Sequence, residues 1–101
     1  MSDHAINVFR KCIPLFQALG DPVRQDIIIL LAEREPLSVN EIAGQSSLSR
    51  PAISHHLKIL SDHRLVKIEQ KGTQRYYSLS LTQSIDQLKK LIMVVERECS
   101  P

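Results

Sequence analysis

The chain has little glycine and little cysteine: three glycines and two cysteines in 101 residues. Three scattered glycines leave no loop that could cradle a phosphate through bare backbone amides. No local spacing joins a nucleophile to a base and an acid either, so the expectation is that this is not an enzyme. Cys12 and Cys99 stand near opposite ends of the chain and make no disulfide framework. No CxxC or HxxxH pattern supports a structural zinc. His4, His55, His56 and His63 are scattered, and residues 81–99 contain no histidine. No apolar run approaches the ~18 residues of a bilayer span, so no membrane partner is expected. The N-terminus lacks a signal-peptide pattern, which points to the cytoplasm.

What is present is an ordinary apolar fraction, 43%. This length predicts one domain over 1–101. A core of this size is marginal alone, and oligomerisation is a common remedy. The net charge of +2 is unevenly spread. Residues 1–49 hold four basic against six acidic side chains, residues 50–77 six against two, and the remainder three against three. The middle third, at +4, has the footprint of a surface that meets a polyanion, although many solvated faces look similar.

Apolar spacing predicts a helix over 3–19 with Ile6, Phe9, Ile13 and Phe16 on one face. Pro14 predicts a kink or a division into two short helices, and Gly20 a stop in the C′ position. Asp21-Pro22 reads as an N-cap followed by the first helical residue. The helix after it buries Val23, Ile27, Leu30 and Leu31. Ser38 and Glu41 fit a capping box for a short helix near 39–45. After a turn at Ser46-Ser47-Leu48, Ser49 caps a helix over 49–60 with Pro51 in its first turn. Ile53, Leu57 and Leu60 mark its apolar edge; Arg50, Ser54, His55 and Lys58 mark its polar edge. Two short helices across a tight turn match a helix-turn-helix, with an αα-hairpin as the plainer alternative. The period then changes to two: Val66 and Ile68, a turn at Lys71–Gln74, and a return through Tyr77 and Leu79. This hairpin, 65–79, has a basic tip and the position of a wing. Ser80 and Gln83 offer a cap for a last helix, whose Leu81, Ile85, Leu88, Ile92, Val95 and Cys99 recur at heptad spacing. Such a stripe needs a partner: the first helix, a second copy, or both. The expected architecture is mainly α with a small β-hairpin, a winged helix-turn-helix in the order α-α-α-α-β-β-α. It is expected to dimerise through its first and last helices, with Phe9, Leu81, Ile85, Leu88, Ile92 and Val95 at the interface.

Four segments in order and spacing carry a family resemblance: Ala18–Arg24, Ser38–Ala43, Ser49–Leu60, and Leu65-Val66 with Gly72 and Arg75–Leu79. The chain resembles the ArsR-type, arsenic-repressor-like family of bacterial winged-helix regulators. The resemblance implies a homodimer that binds an inverted repeat in double-stranded DNA and represses transcription. The helix at 49–60 would then enter the major groove, with Arg50 reading guanine and Ser54 and His55 at base edges or phosphates. Ser47, Ser49, Lys58, Lys71 and Arg75 suit phosphates, and Lys71 and Arg75 also suit the minor groove. Each has a plainer reading, as a solvated residue or a helix cap. Arg24 is left between an acidic partner and the DNA backbone, and His56 is expected to pack against a neighbouring helix. A winged-helix module without a dedicated operator, binding DNA non-specifically or another protein, is the competing function.

The family's metal-sensing sites are not matched. The Cys-x-Cys positions hold Ser38 and Asn40, poor company for a soft metal ion. Asp86 is followed by Gln87 and Leu88, without the family's histidine. No cofactor or metal is expected, and no inducer is named. Cys12 and Cys99, placed by the resemblance on the two dimerisation helices, remain as a redox or sulfur switch, a thiophilic-ion site, or inert packing.

Overall fold

The structure, a computed structural model, describes residues 1–99. Helix α1 (Asp3–Leu19) starts on Ser2, whose hydroxyl accepts the Ala5 N–H at 3.1 Å. It is one helix rather than two, with Pro14 inside it. The ring removes a hydrogen bond to Arg10, whose exposed position lets water take that carbonyl. Gly20 is the C-cap at φ −79° and ψ −5°, not a left-handed C′ residue. A Cβ there would lie 3.2 Å from the Phe16 carbonyl oxygen, so close approach rather than backbone freedom favours glycine.

Helix α2 (Pro22–Arg34) is capped by Asp21, which accepts the Arg24 N–H at 3.1 Å. Strand β1 (Leu37–Ser38) leads into α3 (Val39–Gly44), which carries the expected capping box. Glu41 N–H donates to Ser38 Oγ at 3.2 Å, and Ser38 N–H donates to Glu41 Oε1 at 3.1 Å. Helix α4 (Arg50–Asp62) begins on Ser49, whose hydroxyl accepts the Ala52 N–H at 3.3 Å. It ends in a Schellman pattern: Leu65 N–H reaches Leu60 O at 2.9 Å and Arg64 N–H reaches Ser61 O at 3.0 Å. Arg64 takes the left-handed position at φ 58°.

The hairpin of β2 (Val66–Lys71) and β3 (Gln74–Leu79) is part of a three-stranded antiparallel sheet in the order β1-β3-β2. β1 pairs Leu37 with Tyr77, and β2 pairs Val66 with Leu79. The added strand fastens the wing to the start of α3. Gly72 turns the tip at φ 63°, where a side chain would be strained. Helix α5 (Thr82–Cys99) starts two residues past Ser80. Ser80 is therefore not its cap; its N–H donates to Leu65 O at 2.9 Å and closes the base of the wing.

The main core gathers Leu15, Ile27, Leu31, Ile42, Ile53, Leu57, Leu60, Leu65 and Tyr77. A second cluster, Ala5, Val8 and Val94, joins α1 to α5. These helices run antiparallel, since Ser2 meets Glu98 and Cys12 meets Gln87. The buried line of α1 is Ala5, Val8, Cys12, Leu15 and Ala18. The larger residues that mark its periodicity, Phe9, Ile13 and Phe16, face outward.

Ser2 donates its N–H and its hydroxyl to the two Glu98 carboxylate oxygens, both at 2.6 Å. These hydrogen bonds hold the Glu98 carboxyl below its ordinary range. A lowered folded pKa means the clasp is intact above the ordinary carboxylate range and is lost as pH falls through the folded value. Acid titration followed by NMR is therefore expected to show the Ser2 and Ala5 amides moving together as the start of α1 frays. Glu98→Gln should remove that step. An unchanged acid step in the variant would refute the clasp.

Candidate nucleic-acid interface

All eight side chains expected at DNA are exposed: Ser47, Ser49, Arg50, Ser54, His55, Lys58, Lys71 and Arg75. The four on α4, namely Arg50, Ser54, His55 and Lys58, share a reason. Ile53, Leu57 and Leu60 fill the core, so the remaining arc of α4 must face water. Arg50 on the first turn of α4 and Arg75 on β3 line one cleft of about 180 Å³. Asn40, Thr73 and Gln74 line it too. Two guanidiniums on separate elements, with amide and hydroxyl groups between them, form a surface suited to phosphate oxygens and base edges. Sequence periodicity does not find Asn40, Thr73 and Gln74; polar turn and helix-start residues look alike until β1 brings α3 to the wing.

Lys71 lies 5.8 Å from the Tyr76 ring centroid, a cation–π contact that steadies it on the wing. Lys58 reaches Asp62 at 3.4 Å, one turn on. Both are well exposed, so this pair contributes little and leaves the ammonium available. The His55 ring is exposed and stands edge-on to His56, with centroids 5.6 Å apart.

Arg24 takes the acidic partner of one of its two sequence readings, Asp21, and adds backbone and histidine contacts. Its guanidinium donates to Ala18 O at 2.8 Å and Gln17 O at 3.2 Å, which closes the C-terminus of α1. Gln25 Nε2 does the same for Leu19 O at 2.7 Å. Arg24 Nη1 also lies 3.2 Å from His56 Nδ1. In that bond His56 accepts, which places its own hydrogen on Nε2. Asp21 completes the group, 3.9 Å from Arg24 and 3.6 Å from His56. His56 is thus the inward-packed residue expected, and Arg24 ties the end of α1 to the recognition helix.

The residues expected at the dimer interface divide. Phe9, Ile85, Ile92 and Val95 are exposed apolar side chains. Leu81 and Leu88 are half-buried against their own chain's main core, so part of the stripe is partnered within the chain. The heptad pattern merged two faces because α5 covers the core at its start and stands clear of it further on.

The cysteines do not meet within the chain. Cys12 is buried, 1% exposed, and its thiol donates to Gln87 O at 3.8 Å. Cys99 is exposed at the end of α5, twelve residues beyond Gln87. That is about 18 Å along a helix, whereas a disulfide needs Cα atoms within about 7 Å. An intrachain Cys12–Cys99 bond is incompatible with this antiparallel pair. Among the described residues, no group of three or more histidine, cysteine or acidic side chains is placed to hold a metal ion. No described helix is long and apolar enough to cross a membrane.

Comparison with known proteins agrees with this geometry. The family described as "Bacterial regulatory protein, arsR family" matches residues 21–67. An uncharacterized HTH-type transcriptional regulator of Methanocaldococcus jannaschii is 35% identical, over 87% of this chain and 94% of its own length. The transcriptional repressor SdpR of Bacillus subtilis is 32% identical, over 82% of this chain and 91% of its own. Among solved structures, the homodimeric winged helix-turn-helix DNA-binding domain of a possible ArsR-family regulator from Mycobacterium bovis superposes with a TM-score of 0.71. It is 26% identical and covers 100% of this chain and 92% of that one. A capped α3–α4 pair, a wing fastened to it and these relatives together place the chain in the ArsR family of winged-helix transcriptional regulators, which are not enzymes.

Proposed function

We propose that this protein is a homodimeric repressor that binds an inverted-repeat operator. The observation that carries the reading is the shared cleft of Arg50 and Arg75, where the start of the recognition helix meets the wing. Major-groove entry by α4 presents Arg50 to a guanine, with Ser54 and His55 beside it. Ser47, Ser49, Lys58, Lys71 and Arg75 then meet phosphates, joined by Asn40, Thr73 and Gln74. The exposed stripes Phe9–Ile13–Phe16 and Ile85–Ile92–Val95 supply the dimer face. One unit, residues 1–101, carries both tasks in the cytoplasm. Two relatives, a transcriptional repressor and a homodimeric DNA-binding domain, support this reading.

Footprinting of the purified protein on DNA beside its own coding region is expected to protect two half-sites about 34 Å apart. Arg50→Ala should weaken operator binding by ~1–3 kcal/mol and relax one base preference. Lys71→Ala should weaken all sequences alike and reduce the salt slope by about one. Unchanged affinity and preference in Arg50→Ala would remove that residue from the groove. A preference below ~10³ for any site at physiological salt would point instead to a non-specific module.

The metal-sensing sites of the family have no counterpart in the chemistry here. Ser38 uses its hydroxyl to cap α3, and Asn40 lines the proposed DNA cleft. A disulfide at Cys99 would need its second thiol from another molecule.

A further inference from the structure

The flank of the α1–α5 pair opposite the apolar stripe carries charge. Helical phase places it there. At about 100° per residue, Phe9, Ile13 and Phe16 fall on one side of the buried line through Val8 and Leu15, and His4, Asn7 and Lys11 on the other. In α5, Ile85 and Ile92 fall on one side of the buried line through Ser84 and Leu91, and Lys90 and Arg97 on the other. The polar flanks meet at a cleft of about 350 Å³ with Asn7 and Lys11 on one wall, Lys90 on the other, and Val8 and Cys12 at its base. An adjoining cleft of about 300 Å³ shares His4 and Lys90, adds Lys89 and Arg97, and holds one acid, Asp86. Among the described residues, Lys11, Lys89, Lys90 and Arg97 form no ion pair.

We propose that this cleft binds a small organic anion, a carboxylate on a short apolar body. The volume suits a ligand of that size. The ammonium groups of Lys11 and Lys90 take the charge from two different helices. The Asn7 amide adds a hydrogen bond, and Val8 and Cys12 form an apolar floor. Cys12 serves there as surface, since its thiol already donates to Gln87 O. DNA is a weaker fit, because the cleft is short and belongs to the helix pair rather than to the wing and α4. A bound anion would bridge α1 to α5 and fix the angle between them. The opposite flank of those helices is the proposed dimer face, so the ligand would set the spacing of the two recognition helices. That regulatory consequence rests on the dimer reading; the binding itself does not.

The test is an NMR titration of the full chain with benzoate, and with benzyl alcohol and inorganic phosphate as controls. Benzoate is expected to give saturable shifts at Asn7, Lys11 and Lys90 at millimolar concentration or below, as ligand efficiencies for so few atoms allow. Lys11→Gln/Lys90→Gln should weaken it about tenfold or more, the size of a lost charge-assisted hydrogen bond. Operator affinity of that variant without benzoate should stay within about twofold, under the tenfold that one such bond represents. Equal shifts with benzyl alcohol would overturn the proposal, since charge would then play no part. Equal affinity for phosphate would overturn the apolar floor, and unaltered benzoate binding by the variant would overturn the two lysines. A loss of operator affinity in the variant would reassign the lysines to DNA. A protein that binds benzoate through this cleft but prefers no DNA site would refute the repressor reading and leave the anion site standing.

Discussion

Ile92→Glu is expected to split the proposed dimer and to lower operator affinity by about 10²–10⁴-fold. Two recognition helices on one rigid body bind two half-sites with the second contact intramolecular, and that advantage is of this order. Ile92 is 55% exposed and Phe9 48% exposed in the single chain, so neither side chain holds the protomer together. A carboxylate at position 92 costs the monomer little. In a symmetric interface it is placed twice against apolar surface, where burying an unpaired charge is expensive. Sedimentation velocity should therefore show a folded monomer with unchanged helical circular dichroism. Each monomer should still occupy a half-site weakly. Phe9→Glu, on the other helix, should act alike. A dimer that survives both substitutions would place the interface elsewhere and leave the outward stripe without a role.

Leu57→Ala is expected to cost ~2–5 kcal/mol of stability, among the largest effects of any single substitution in this chain. Leu57 is 0% exposed on the inner side of α4. Truncating it leaves a cavity beneath the helix proposed to read DNA. For a domain of this size each kcal/mol shifts Tm by ~4–8 °C, so a fall of at least ~8 °C should appear in a thermal melt. Ser54→Ala, one turn away on the exposed side, should stay within about 0.5 kcal/mol. The two variants separate folding from reading: Leu57→Ala weakens operator binding only in proportion to the unfolded fraction, while Ser54→Ala weakens it with the fold intact. A Leu57→Ala melt close to wild type would mean that α4 is rotated from the phase seen here.

Local chemistry was the most legible part of this chain. Asp21-Pro22, the Ser38–Glu41 box and the Ser49 cap are short-range arrangements, and each forms with the partners the sequence names. The exposed arc of α4 was legible for the same reason, because its apolar residues fix one phase. Which of two apolar stripes faces inward was not. On α1 the large residues that mark the period look outward, while small ones, Ala5, Cys12 and Ala18, allow α5 to come close. Periodicity records where hydrophobic residues lie, not what covers them. Strand β1 is two residues long, too short to alternate, so its own residues do not announce its pairing with β3. The role of Arg24 needed three distant partners, at Gln17, Ala18 and His56, none of which its own motif reveals. Ser80 failed as a cap because the chain between β3 and α5 spends that residue on Leu65.

The pairing of α1 with α5 also sets an order of events during synthesis. Residues that pack the main core run from Leu15 to Leu88, and most of them lie before Ser80. The main core can therefore largely assemble before α5 is made, as domains do when they fold from the N-terminal side. The N-terminal part of α1 cannot be covered then, because its partners Gln87, Val94 and Glu98 all lie on α5. Until then Val8 and Cys12 stay uncovered on a helix already apolar on its other flank. On a polysome, where neighbouring nascent chains carry the same bare helix, α1 is the segment most exposed to premature pairing. Translation speed through α5, at ~5–20 residues per second, governs how long that window stays open.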